Sequence, residues 1–136
     1  MARIICIDYG GKRTGLAVTD PLKIIATALT TVETNNLISF LKDYFSKEDV
    51  ELILIGEPLN LDDSPTHATP LVHRGIKQLQ KEFPNIPVKT IDERFTSKLA
   101  SQAMVQMGMK KKERRKKENI DQIAAAIMLQ EYLQTL

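Results

Sequence analysis

The stretch Arg3-Ile4-Ile5-Cys6-Ile7-Asp8-Tyr9-Gly10-Gly11-Lys12-Arg13-Thr14-Gly15 decides how the rest of the chain is read. Its Ile-rich run predicts a buried strand, and Asp8 falls where that strand ends. Gly10 and Gly11 then allow a tight turn, and Thr14 to Thr19 reads as a returning strand. The hairpin sets one carboxylate at the mouth of a sheet, beside two cations, Lys12 and Arg13. Such a group suits a divalent metal held against a phosphate. Taken alone, Asp8 reads as well as an Asx-turn at a strand end.

Downstream, Lys23 to Val32 is expected to form a third strand, with Pro21 marking the turn before it. Leu37, Ile38, Phe40, Leu41, Tyr44 and Phe45 recur at helical spacing, with Thr34 or Asn35 as the N-cap. Glu51-Leu52-Ile53-Leu54-Ile55-Gly56 is nearly unbroken in its apolar character. That pattern belongs to a strand covered on both faces, central and parallel to its neighbours. Glu57 to Pro65 reads as a loop, Thr66 to Phe83 as a helix, and Ile86 to Ile91 as a fifth strand. A helix from Thr96 or Ser97 to Met107 would stop at Gly108. A last helix is expected from Asn119 to Thr135, with Ile120, Ile123, Ala124, Ile127 and Met128 as its apolar stripe. The order β-β-β-α-β-α-β-α-α implies a mixed sheet flanked by helices, one domain over residues 1–136.

Composition narrows the class. A 136-residue chain that is 43% hydrophobic and 26% charged is an ordinary globular protein. No stretch has the length of a membrane span, and no signal-peptide pattern opens the chain, so a cytoplasmic location is expected. The single cysteine, Cys6, reads as a small core residue, which leaves no disulfide framework and no thiolate zinc cluster. His67 and His73 are spaced for different faces of a helix and read as surface residues.

The net charge of +2 conceals an asymmetry. Lys110, Lys111, Lys112, Arg114, Arg115, Lys116 and Lys117 surround a lone Glu113, while the rest of the chain is net acidic. A concentrated basic segment on an acidic body reads as a polyanion-binding arm, against the plainer reading of a solvated loop.

Four acidic positions end up at element ends. Asp121 opens the last helix, where Ala124 and Ala125 would let it approach a sheet closely. Its plainer role is to complement the helix dipole. Glu93, in Asp92-Glu93-Arg94, follows the fifth strand, and Glu57 follows the fourth. Carboxylates converging on one point would suit Mg²⁺ or Mn²⁺, and two such ions serve phosphodiester cleavage.

The chain resembles the YqgF (RuvX) family of RNase H-like nucleases, which is described as Holliday-junction-resolvase-like or as pre-16S rRNA nucleases. The likeness is carried by Asp8 to Gly15, Gly56-Glu57-Pro58-Leu59-Asn60, Asp92-Glu93-Arg94-Phe95-Thr96 and Asp121-Gln122-Ile123-Ala124-Ala125, and it extends over essentially the whole chain. The resemblance implies an α/β, RNase H-like fold: a five-stranded mixed sheet in the order 3-2-1-4-5. It also implies metal-dependent endonuclease chemistry in 5′-end maturation of pre-16S rRNA. Asp8, Glu93 and Asp121 match the family's acids. The family usually has an apolar residue at Glu57, commonly Gly at Asp63, and tends to carry Glu at Leu99. Strand spacing keeps Glu57 in reserve as a ligand, since a neighbouring strand lies about 4.8 Å away and the next about twice that.

Lys12, Arg13 and Arg94 are the expected phosphate contacts near the metals, with the basic run extending the grip. Partners follow from this: pre-rRNA, alternatively branched DNA, with ribosomal precursor particles and no membrane. Monomer and homodimer both remain open, because a resolvase would need two sites acting symmetrically. A non-catalytic nucleic-acid-binding module is the competing class. The Asp8-x-Gly10 hairpin also resembles that of actin-like ATPases, but those need two such domains. Aromatics are only 5% of the chain, which favours structured substrates over base-stacked single strands.

Combining Lys110→Glu with Lys111→Glu is expected to weaken nucleic-acid binding and flatten its salt dependence. Each phosphate contact adds about 0.9 to the slope of log affinity against log salt. An unchanged slope in a salt titration would count against the arm.

Overall fold

In the computed structural model, residues 2–57, 69–92 and 117–134 are described. Five strands form one mixed sheet: β1 (Arg3–Asp8), β2 (Arg13–Thr19), β3 (Ala26–Glu33), β4 (Val50–Glu57) and β5 (Val88–Asp92). Their order across the sheet is β3-β2-β1-β4-β5. The hairpin-linked trio pairs antiparallel, while β4 runs parallel to both β1 and β5. The sheet order and the central, parallel place of the apolar fourth strand are those expected from the sequence.

Alternation along the strands divides the core in two. Ile5, Ile7, Ile53 and Ile55 face one side, where they pack with Leu37 and Leu41 of α1 (Leu37–Lys47) and Val72 and Leu79 of α2 (Thr69–Glu82). Phe45 and Phe83 close that layer edge to face, their ring centroids 4.8 Å apart. Ile4, Cys6 and Leu54 face the other side, beneath α3 (Lys117–Leu133). Cys6 is fully buried, as a core cysteine should be.

The buried face of α3 differs from the expected stripe. Ala124, Ala125, Met128 and Leu129 are buried, whereas Ile123 and Ile127 are only half-buried. The helix sits with its alanines toward Ala17 and Leu54, because small side chains allow a closer approach than isoleucines would. Ile120's side chain lies outside the described residues.

Three element boundaries are set by polar groups. The third strand starts at Ala26 rather than Lys23, because the Asp20 carboxylate accepts bonds from the Ile24 and Ile25 amides at 2.8 and 2.9 Å. Those bonds also hold the Asp20 carboxyl below its ordinary range, the Ile25 amide contributing most. Neither Thr34 nor Asn35 caps α1: a single 3₁₀ turn, Thr34–Asn36, intervenes, and Asn36 stands at the cap position without a side-chain bond. The fifth strand begins at Val88, since the Ile86 amide closes a turn on the Phe83 carbonyl at 3.1 Å. α3 begins at Lys117, two residues earlier than expected. The helix expected near 97–107 lies outside the described residues. No described helix is long and apolar enough to cross a membrane.

Leu54 is fully buried in the cluster beneath α3, in one row with Cys6 and Ala17. Leu54→Ala is expected to cost about 2–5 kcal/mol of stability. Urea denaturation should show this as a lower midpoint at an unchanged slope.

Candidate active site

Because β1, β4 and β5 run parallel, their last residues, Asp8, Glu57 and Asp92, all reach the same end of the sheet. In open α/β sheets, ligands gather at this carboxyl end. Asp8 is half-buried and pairs with Gly15 of β2. It shares its face with Ile4 and Cys6, the face covered by α3. Asp8 follows Ile7, whose partner is Ile55, so the ladder continues toward Gly56 before it reaches Glu57. Glu57 itself pairs with Asp92 at the end of β5.

The direction of α3 relates Asp121 to Asp8. The Gln130 side-chain oxygen accepts a bond from the Ala26 amide at 3.1 Å. Ala26 pairs with Thr19, whose hydroxyl accepts from the Ile4 amide at 2.9 Å. Gln130 therefore stands at the end of the sheet where β1 begins. From there back to Asp121 is about 14 Å of helix, and from Ile4 to Asp8 is about 13 Å of strand. The helix start, with the backbone of Asp121, thus lies toward the Asp8 end. Glu93, Arg94 and the basic residues Lys110, Lys111, Lys112, Arg114, Arg115 and Lys116 lie outside the described residues. Lys117 is the first residue of α3. Among the described residues, no cluster of three metal-ligating side chains occurs.

The turn after Asp8 is held by two sets of contacts. In the first, the Thr34 hydroxyl bonds the Gly10 carbonyl at 2.6 Å and the Thr14 hydroxyl at 2.9 Å. The Thr14 oxygen in turn lies 3.5 Å from the Gly10 amide, a long contact. Only one donor order satisfies all three: the Gly10 amide donates to Thr14, Thr14 to Thr34, and Thr34 back to the Gly10 carbonyl. The loop is closed, so each bond polarises the next. The Thr34 amide also donates to the Lys12 carbonyl at 3.0 Å. Gly10 is required here, because a Cβ would stand 2.2 Å from the Arg13 carbonyl oxygen.

In the second, α2 braces the turn. The Tyr9 ring lies against Gly75, where an added Cβ would meet it at 2.9 Å. Burial pushes the Tyr9 phenol above its ordinary value, with Arg74 opposing the shift. His73 is exposed on the same helix, as expected; His67 lies outside the described residues.

Lys12 is exposed and Arg13 half-buried. Both line a cavity of about 510 Å³ that Gly11, Thr31, Val32, Glu33 and Asn35 complete. That Asp8 ends a strand and is followed by Lys12 and Arg13 at the return was legible in the sequence, whereas the threonine loop and this cavity were not. Gly75 alone left a trace, since an isolated glycine within a helical pattern often marks a close contact.

Comparisons with known proteins agree with this architecture. The model of the RuvX family, described as a Holliday junction resolvase, matches residues 2–135. A protein of Christiangramia forsetii is 53% identical over 133 residues, covering 98% of both chains. One of Flavobacterium johnsoniae is 51% identical over 133 residues, covering 98% of this chain and 96% of its own. Both are provisionally named pre-16S rRNA nucleases. Among solved structures, T. thermophilus RuvC in complex with Holliday junction substrate matches with a TM-score of 0.57 at 14% identity. That match covers 99% of this chain and 95% of RuvC, and it is a likeness of fold.

Thr14→Val removes the hydroxyl without changing its shape and opens the hydrogen-bond loop. A melting curve should register a loss of about 1–3 kcal/mol, with Thr14→Ser losing less.

Proposed function

Because this chain belongs to the RuvX family, we propose that it is a metal-dependent endonuclease, acting as one domain, that hydrolyses phosphodiester bonds in structured nucleic acid. Its proposed role is 5′-end processing of pre-16S rRNA, the substrate in the names of relatives that match half its residues. Work on rRNA would place it in the cytoplasm and bring it to ribosomal precursor particles. The observation that carries the reading is Asp8, half-buried at the carboxyl end of β1, on the face covered by α3, the helix that carries Asp121.

Asp8, Asp121 and Glu93 are the proposed catalytic ligands. All three are hard oxygen donors, the kind that Mg²⁺ and Mn²⁺ take. The resemblance carried by Asp92-Glu93-Arg94 favours Glu93, with Glu57 in reserve. Bound divalent ions would supply an activated water and charge stabilisation for the leaving oxygen.

The protein's own residues orient the substrate. Lys12 projects from the braced turn next to Asp8, and Arg13 opens β2. With Arg94 they would hold the phosphates flanking the scissile bond, Arg in bidentate fashion. The half-buried position of Asp8 keeps its carboxylate fixed by the sheet. Residues 110–117 would add affinity along the backbone without sequence readout.

The test is cleavage of a labelled RNA spanning the pre-16S 5′ leader in Mn²⁺ or Mg²⁺, beside a labelled four-way DNA junction. Asp8→Asn is expected to lower RNA cleavage by at least about a hundredfold, and EDTA to abolish it. Junction cutting alone would make the protein a resolvase. Binding with no metal-dependent cutting of either substrate would sink the nuclease reading.

A further inference from the structure

We propose that the cavity beside the β1–β2 turn is a ribonucleotide subsite. In it, Thr31, Glu33 and Asn35 bond the 2′-hydroxyl of a nucleotide flanking the scissile phosphate, while Lys12 and Arg13 hold that nucleotide's phosphate. The inference rests on the nuclease reading and addresses what that reading leaves open, the choice between RNA and DNA.

Position comes first. Asp8 pairs with Gly15 and Gly15 with Thr31, so the three form one row across the same face of the sheet. Thr31 is therefore about two strand spacings, roughly 10 Å, from the carboxylate. A nucleotide next to the scissile bond spans that interval. Arg13 and Glu33 pair in the adjacent row on the same face, and Asn35 follows on the 3₁₀ turn. At about 510 Å³ the cavity has the size of a small-molecule site.

Its chemistry selects a sugar. A site for phosphate alone would be lined by donors, and the Glu33 carboxylate would repel the ligand. A ribose hydroxyl instead gives a proton to a carboxylate and accepts one from an amide or another hydroxyl. Glu33 can accept, and Asn35 and Thr31 can donate. Deoxyribose offers neither half of this exchange, and the 2′-hydroxyl is the group by which proteins tell RNA from DNA. A cross-strand pairing of Arg13 with Glu33 would account for those two charges, but not for the volume beside them.

The walls are also cross-tied. The Thr34 amide bonds the Lys12 carbonyl and its hydroxyl bonds the Gly10 carbonyl. Thr34 directly follows Glu33, so the cationic and acidic sides of the cavity are fastened to each other before any ligand arrives. Preorganisation of this kind limits the ordering cost of binding.

The test measures binding of the full chain in EDTA by fluorescence anisotropy, at about 0.2 M salt so that general phosphate contacts are reduced. The probes are the leader RNA, its all-deoxy counterpart, and RNAs carrying one 2′-deoxy position at a time. The wild type should prefer RNA by about tenfold, the scale of one hydrogen bond to a charged group, with the loss concentrated at one or two positions. Glu33→Ala and Asn35→Ala should each erase most of that preference while melting like the wild type. Equal affinity of the wild type for RNA and DNA, or a preference unchanged in both variants, would overturn the subsite. Cleavage of the same RNA in Mn²⁺ is scored separately. Metal-dependent cutting without 2′-hydroxyl preference would remove the subsite and leave the nuclease. A preference lost in the variants without any cutting would keep the subsite and remove the nuclease.

Discussion

Burial of the first strand on both faces is the constraint on which everything else depends. Ile4, Ile5, Cys6 and Ile7 are all buried, so a helix layer has to cover each side of the sheet. α1 and α2 supply one layer, and α3 supplies the other. A strand enclosed in this way has only its ends open to solvent. Asp8 occupies the open end at which the parallel strands finish, and a half-buried carboxylate there is both fixed and reachable. The place proposed for the chemistry is thus the place where hydrophobic cover stops.

The turn beyond Asp8 shows how a flexible sequence is made stiff. Two adjacent glycines would ordinarily leave Lys12 and Arg13 loosely placed. Here the closed hydroxyl loop through Thr14 and Thr34 holds the turn, and so does Tyr9 wedged against Gly75. The glycines provide the sharp path, and polar and aromatic contacts remove the freedom they introduce. Cations carried on such a turn can meet a phosphate with little further ordering.

How much of this was legible depended on how local each cause was. The run Leu52-Ile53-Leu54-Ile55 declared a strand covered on both faces, because no alternation remained to solvate one side. Asp8 stood out because strand, acid and glycines are consecutive. The helix-cap expectation for Thr34 failed for a tertiary reason: its hydroxyl is taken by Gly10, 24 residues away. Isoleucines at 123 and 127 outweighed the alanines in hydropathy, yet closeness to the sheet favoured the smaller side chains. The cavity draws its lining from a turn, an edge strand and a 3₁₀ turn, and no spacing along the chain announces such a gathering.

The covering of Cys6 and Leu54 by α3 also has a meaning in time. The sheet's first strand is made before α3, yet one of its faces is covered by residues 117–133. Until that helix is made, the face is exposed apolar surface, the kind that invites chaperones or self-association. Asp8 and the helix that carries Asp121 come together only after the strands between them have been synthesised.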